Sequence, residues 1–212
     1  LFGGLDKNVL LNLSKYTAMA VTSAACVPVS HILIRTYLGD TLGLEAAGYW
    51  EAMWRLSAAY LMLVTTTLSL YYLPKLSELK EPAEIRKEII QGYKIILPVA
   101  ASCSLVIYLL RDFIIGVLFT QDFIPMRELF GWQMVGDALK IGSWILAYLM
   151  LGKAMVKLFI LTEIFFSISF VMLSYLFVQY IGLKGTALAH AANYFIYWFF
   201  LALVMYKRFR VF

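Results

Sequence analysis

The sequence is short of charge. Of its 212 residues only 15% are Asp, Glu, Lys or Arg, whereas 62% are apolar, against about a quarter charged and about half apolar in soluble domains. A soluble globular domain with a single core is therefore excluded. Cysteine is equally scarce: Cys26 and Cys103 both lie in apolar runs, with no Cys-x-x-Cys pair and no histidine at ligand spacing. That excludes a disulfide framework and a metal centre, and both thiols are expected to be small core residues. There is no Gly-x-Ser-x-Gly, no paired-histidine motif, no phosphate-cradling glycine loop and no long polar loop to house a reaction. Neither an enzymatic activity nor a bound cofactor is expected. Residues 1–9 are too short and too acidic for a signal peptide, and a chain that opens at Leu1 without Met is expected to be a piece of a longer one.

What is present is apolar length. A hydrocarbon core of about 30 Å takes about 20 helical residues, and six stretches reach it: 11–37, 46–73, 95–119, 127–152, 155–180 and 183–206. The expected fold is an all-α membrane protein, a single six-helix transmembrane lobe over 1–212. The longest connection runs from Pro74 to Lys94. It places Ile85, Ile89 and Ile90 on one side and Glu84, Lys87, Glu88 and Gln91 largely on the other, which predicts an amphipathic cytoplasmic segment over 82–93 lying at the membrane surface. The formal net charge of +5 does not point to nucleic acid, because the basic residues sit at span ends. Lys7, Lys15, Lys75, Lys80, Arg86, Lys87, Lys94, Lys153, Lys157, Lys207, Arg208 and Arg210 fall on one face of an even-numbered bundle. By the positive-inside rule both ends of the segment are expected to be cytoplasmic.

Ionisable groups at membrane depth cost roughly 2.5–3.5 kcal/mol each on insertion scales, so each needs a partner or a wet cavity. In the fourth span Gln133, Asp137 and Lys140 recur at i, i+4 and i+7, one polar stripe that suits a cavity wall. Asp137 and Lys140 could also pair structurally. Glu51 and Arg55 stack four apart in the second span, as a chamber lining or an interfacial ion pair. His31 and Arg35 do the same in the first, with Arg35 free to snorkel to headgroups. The sixth span carries Thr186, His190, Asn193 and Tyr197 on one stripe, groups that bind sugars or phosphates or tie helices together, and His190 can also pass protons. Glu163, in the fifth span, could accept a coupling proton or cation or partner a lysine. Gly185, Ala189 and Ala192 form a small-residue stripe suited to close helix packing.

Several segments resemble a known family. Leu68-Ser-Leu-Tyr-Tyr-Leu-Pro-Lys-Leu-Ser77, Leu109-Leu-Arg-Asp-Phe113, Met126-Arg-Glu-Leu-Phe-Gly-Trp-Gln-Met-Val-Gly-Asp-Ala-Leu-Lys140 and Tyr148-Leu-Met-Leu-Gly-Lys-Ala154 are similar to the second half of the Wzx-type flippases for polysaccharides and lipid-linked oligosaccharides. The resemblance runs from about Leu13 to the C-terminus. It implies one lobe of a multidrug/oligosaccharidyl-lipid/polysaccharide exporter in a bacterial inner membrane, with an N-terminal lobe as its missing partner. The implied substrate is an undecaprenyl-diphosphate-linked oligosaccharide. Arg55 and Lys140, with Arg35 behind them, are then the expected diphosphate ligands. Asp137, Gln133, Glu51, His190 and Asn193 are expected to complete the cavity, with Glu163 and Asp137 as candidates for ion coupling. Two other readings stay open: a drug/cation antiporter lobe of the same superfamily, and a polytopic glycan polymerase or ligase, which the short outer loops disfavour.

Overall fold

A computed structural model describes residues 7–209 of the chain. The opening residues 1–6, part of the stretch weighed as a signal peptide, and Arg210 of the basic C-terminus lie outside the described residues. Of the described residues 94% are helical. Helix α1 runs over Lys7–Leu42 and α2 over Leu44–Thr67. A π-helical turn, Leu68–Tyr72, leads without a break into α3, Leu73–Glu78. Then come α4 (Pro82–Leu109), α5 (Arg111–Leu118), a 3-10 segment (Gln121–Leu129), α6 (Phe130–Gly152), α7 (Val156–Ile181) and α8 (Lys184–Phe209).

Among the described residues six helical stretches are long and apolar enough to cross a membrane: Leu13–Leu42, Leu44–Glu78, Pro82–Leu109, Gln121–Gly152, Val156–Ile181 and Lys184–Phe209. They are not equivalent. In the most apolar part of Gln121–Gly152 67% of residues are buried inside the lobe, against 17% in Leu13–Leu42. Helix α6 is therefore the central post, and the others turn most of their surface outward, as helices in lipid or against a second lobe do. Two tight joints use glycine: Gly43 (φ 95°) between α1 and α2 and Gly182 (φ 63°) between α7 and α8. Other side chains rarely adopt such backbone angles.

Small residues set the closest approaches. At Gly185 an added Cβ would lie 2.5 Å from the Phe177 carbonyl oxygen, so α7 and α8 meet through the stripe begun there. Tyr93 of α4 donates to the Gly142 carbonyl at 2.8 Å while accepting from Trp198 Nε1 at 2.8 Å. One phenol thus ties α4, α6 and α8 together.

The third span differs from its expected limits. It begins at Pro82 and ends at Leu109, and residues 111–118 form a separate helix beyond a break at Leu110. The segment 82–93 does not lie apart on the surface, since it is the first part of α4. Nor does Glu88 belong to its polar side. Ile85, Glu88, Ile89 and Gly92 are buried together, and Glu88 accepts a 2.7 Å ion pair from Lys75 of α3, so that face packs inward on the foot of the second span. Cys103 is exposed rather than a core residue, and Cys26 is half-buried; both thiols are free. In a membrane helix the apolar outer face is as suitable a place for a thiol as the core, which periodicity does not distinguish.

Candidate functional site

The polar stripe of α6 is buried: Gln133, Asp137 and Lys140 are 2%, 0% and 8% exposed. Asp137 does not pair with Lys140. Its Oδ1 receives His190 Nε2 of α8 at 2.9 Å and Gln133 Nε2 at 3.3 Å, and its Oδ2 receives the Tyr60 hydroxyl of α2 at 2.5 Å. Gln133 Nε2 also donates to Ser57 Oγ at 3.2 Å. The carboxylate thus draws donors from three helices, which is how a buried charge is kept without water. His190 reaches it because position 136 is glycine: a Cβ there would run into the imidazole ring and come within 3.1 Å of the Ala191 amide nitrogen. With Nε2 donating to the carboxylate, His190 Nδ1 is buried without a hydrogen-bond partner among the described residues. That favours a neutral imidazole whose second nitrogen is an unused acceptor.

Lys140, one turn further along, is held differently. Its Nζ lies 4.7 Å from the ring centre of Trp54, 5.0 Å from Trp144 and 5.3 Å from Tyr194. Three π-faces supply the electrostatic attraction that a carboxylate otherwise would. Lys140 also lines a cavity of about 600 Å³ enclosed by α1, α2, α6, α7 and α8, with Glu163, Thr162, Asn193, His31 and Tyr197 in the same wall. His31 is wedged edge-on against Trp54, ring centres 4.1 Å apart. Glu163 lies close enough to Lys140 for their charges to interact without a direct ion pair between them.

The structure therefore gathers Lys140, Asp137, Gln133, His190 and Asn193 and puts Glu163 in the cavity wall. It does not gather the second-span charges. Arg55 pairs with Glu51 at 2.8 Å on its own helix, with 77% of the arginine side chain exposed. Arg35 is likewise exposed, and none of the three lines the cavity. Sequence reasoning missed Tyr60, Ser57 and the rings of Trp54, Trp144 and Tyr194. A signal for Trp54 was there: tryptophan favours the interface in membrane helices, and one set well inside a span, with Ala58, Leu61 and Thr65 continuing its face, marks an inward surface.

The chain is 35% identical over 192 residues to the Lipid III flippase of Escherichia coli (strain K12), and to that of Shigella flexneri by the same measures. The alignment takes in 91% of the chain and 46% of each relative, so the chain spans about half the length of the curated relatives it matches. In structure it is similar to the Vibrio cholerae MATE transporter VcmN in the bent form, with a TM-score of 0.66 and 15% identity, over 93% of the chain and 46% of that protein. No family profile matches the chain. The segments at 68–77, 126–140 and 148–154 point to the lipid III flippase of enterobacterial common antigen, and the identity along the chain bears that resemblance out. The fold is an all-α, six-helix membrane bundle like one lobe of a MATE transporter.

Proposed function

Taking the likeness to lipid III flippases as the premise, we propose that this chain is the C-terminal lobe of a transporter that moves an undecaprenyl-diphosphate-linked oligosaccharide from the cytoplasmic to the periplasmic leaflet of the inner membrane. The two lobes rock around a shared cavity, and both termini of this segment face the cytoplasm. The observation that carries the reading is Lys140. Its charge is not spent on Asp137, which the donors from His190, Tyr60 and Gln133 already satisfy, and it stands in the wall of the cavity. An ammonium held by ring faces stays available to a phosphate oxygen, and the indole and phenol rings beside it are apt surfaces for the apolar faces of sugars. Gln133 and His190 position Asp137, and Asn193 supplies a polar edge to the same wall. Arg55, Glu51 and Arg35 are left out of the binding set.

The test is translocation by the full-length protein in proteoliposomes charged with lipid-linked oligosaccharide. Lys140→Gln should lower the rate at least about tenfold, since a charged hydrogen bond contributes about 1.5–3 kcal/mol, and Lys140→Arg should keep part of it. A folded Lys140→Gln protein working at the wild-type rate would sink the reading. A drug/cation antiporter lobe is the second reading, favoured by Glu163 in the same wall. It requires Glu163→Gln, and not Lys140→Gln, to abolish movement of an organic cation, with Glu163 and Asp137 as the ion-coupling carboxylates.

A further inference from the structure

A second concavity, of about 470 Å³, opens on another side of the lobe, between α4 and α6. Its α4 edge is formed by Ala101, Ser104, Leu105 and Tyr108, spaced i, i+3, i+4 and i+7, and its α6 edge by Gly131, Trp132, Val135 and Ala138 among others. Each edge spans eight residues, about 10 Å of helix. Small residues hollow the floor, while Leu105, Tyr108, Trp132 and Val135 stand exposed around it. Both edges belong to helices long and apolar enough to cross a membrane, so in a bilayer what lies against the groove is hydrocarbon unless another polypeptide covers it.

One end of the groove is marked by charge. The Arg111 guanidinium stacks 4.3 Å from the ring centre of Tyr108 and donates to the Tyr108 carbonyl at 3.1 Å. Its chain neighbour Asp112 is taken by Arg127 at 3.0 Å. Arg111 is left without a carboxylate among the described residues. Tyr108 thus serves both parts, one face of its side chain walling the groove and its ring carrying the cation at the groove's end. An apolar groove that ends at a guanidinium with no carboxylate partner among the described residues matches a lipid whose acyl chain lies in the groove and whose phosphate meets the arginine.

We infer that the α4/α6 groove is a binding site for a membrane phospholipid with an anionic headgroup, seated by Arg111 and Tyr108. The site is separate from the Lys140 cavity and does not depend on the flippase reading. The probes are phosphatidylglycerol and phosphatidylcholine with identical acyl chains, added in equal amounts to the full-length protein in detergent, with bound lipid counted by native mass spectrometry. The wild type should retain phosphatidylglycerol over phosphatidylcholine at least fivefold. Arg111→Gln should bring that ratio near one. Ala101→Phe, at an exposed position that fills the groove, should lower retention of both lipids. A wild type without preference overturns the proposal even if neither variant folds. So does an unchanged ratio in folded Arg111→Gln, or unchanged retention in folded Ala101→Phe. Displacement of phosphatidylglycerol by an equal amount of a polyprenyl phosphate would give the groove to that lipid instead and would also overturn the assignment.

Discussion

Asp137 and Lys140 stand one turn apart on α6, and the lobe treats the two charges in opposite ways. The carboxylate is fully enclosed and meets donors from three helices, so its hydrogen-bonding capacity is used up inside the protein. The ammonium touches only the faces of Trp54, Trp144 and Tyr194 and opens on the cavity. A low-dielectric interior keeps a charge either by satisfying it or by leaving it reachable, and the second way contributes little to stability. That contrast supports the proposed division, in which Asp137 holds α2, α6 and α8 in place and Lys140 meets ligand.

The comparison breaks first at Asp137. Asp137→Ala orphans the Tyr60 hydroxyl, the Gln133 amide and the His190 imidazole in a dry interior, and should cost several kcal/mol, about 1–3 for each buried donor left unpaired, read as a lowered midpoint in denaturant unfolding of the full-length protein in detergent. A wild-type midpoint would show that the cluster does not hold the helices. A double-mutant cycle between Asp137→Asn and His190→Gln should give a coupling of about 1.5 kcal/mol, near the upper end for hydrogen bonds between membrane helices.

Gly136→Ala tests whether that geometry depends on close approach. The added methyl collides with the His190 ring, so α8 must back away and lengthen the bond to Asp137. A loss of about 1–3 kcal/mol is expected, and it should shrink to the cost of the methyl alone when His190→Ala is already present. Full additivity of the two changes would mean that the ring is not the obstacle.

Lys140 should behave in the reverse sense. Lys140→Met fills a similar volume without a charge to desolvate, and is expected to raise stability by about 1 kcal/mol while abolishing translocation, the pattern of a residue kept for work at a cost in stability. If Lys140→Met destabilises as much as Asp137→Ala, the lysine belongs to the scaffold.

How much of this was legible follows from what periodicity encodes. Six spans of sufficient length are readable because membrane thickness fixes helix length, and the i, i+4, i+7 stripe of Gln133, Asp137 and Lys140 is readable because helical spacing fixes faces. Partners across helices are not encoded that way. The proximity of Asp137 to Lys140 along the chain suggests a pair, whereas His190 lies 53 positions away and arrives only because Gly136 has no side chain. Of the rings around Lys140 only Trp144, at i+4 on the same helix, is marked by spacing, whereas Trp54 and Tyr194 come from α2 and α8. The break at Leu110 does carry a mark, the adjacent charges Arg111 and Asp112, but the apolar residues beyond them, 113–118, let the hydropathy of the span run on past it.

Glu51 and Arg55 give the smallest expected effect and the sharpest control. They have the same i, i+4 spacing as Gln133 and Asp137, and a 2.8 Å contact as short as any in the buried cluster but one, yet 77% of the arginine side chain is exposed. Solvent or headgroups screen such a pair and its two side chains lose rotamer freedom to form it, so Glu51→Ala and Arg55→Ala should each change stability by less than about 0.5 kcal/mol, with a coupling no larger. Salt separates the two settings further. Raising ionic strength should erase the Glu51–Arg55 coupling while leaving that of Asp137 and His190 unchanged. A Glu51–Arg55 coupling that survives high salt and exceeds 1 kcal/mol would mean that the pair is shielded in the full-length protein, and Arg55 would then return to the cavity as a second cation for the diphosphate.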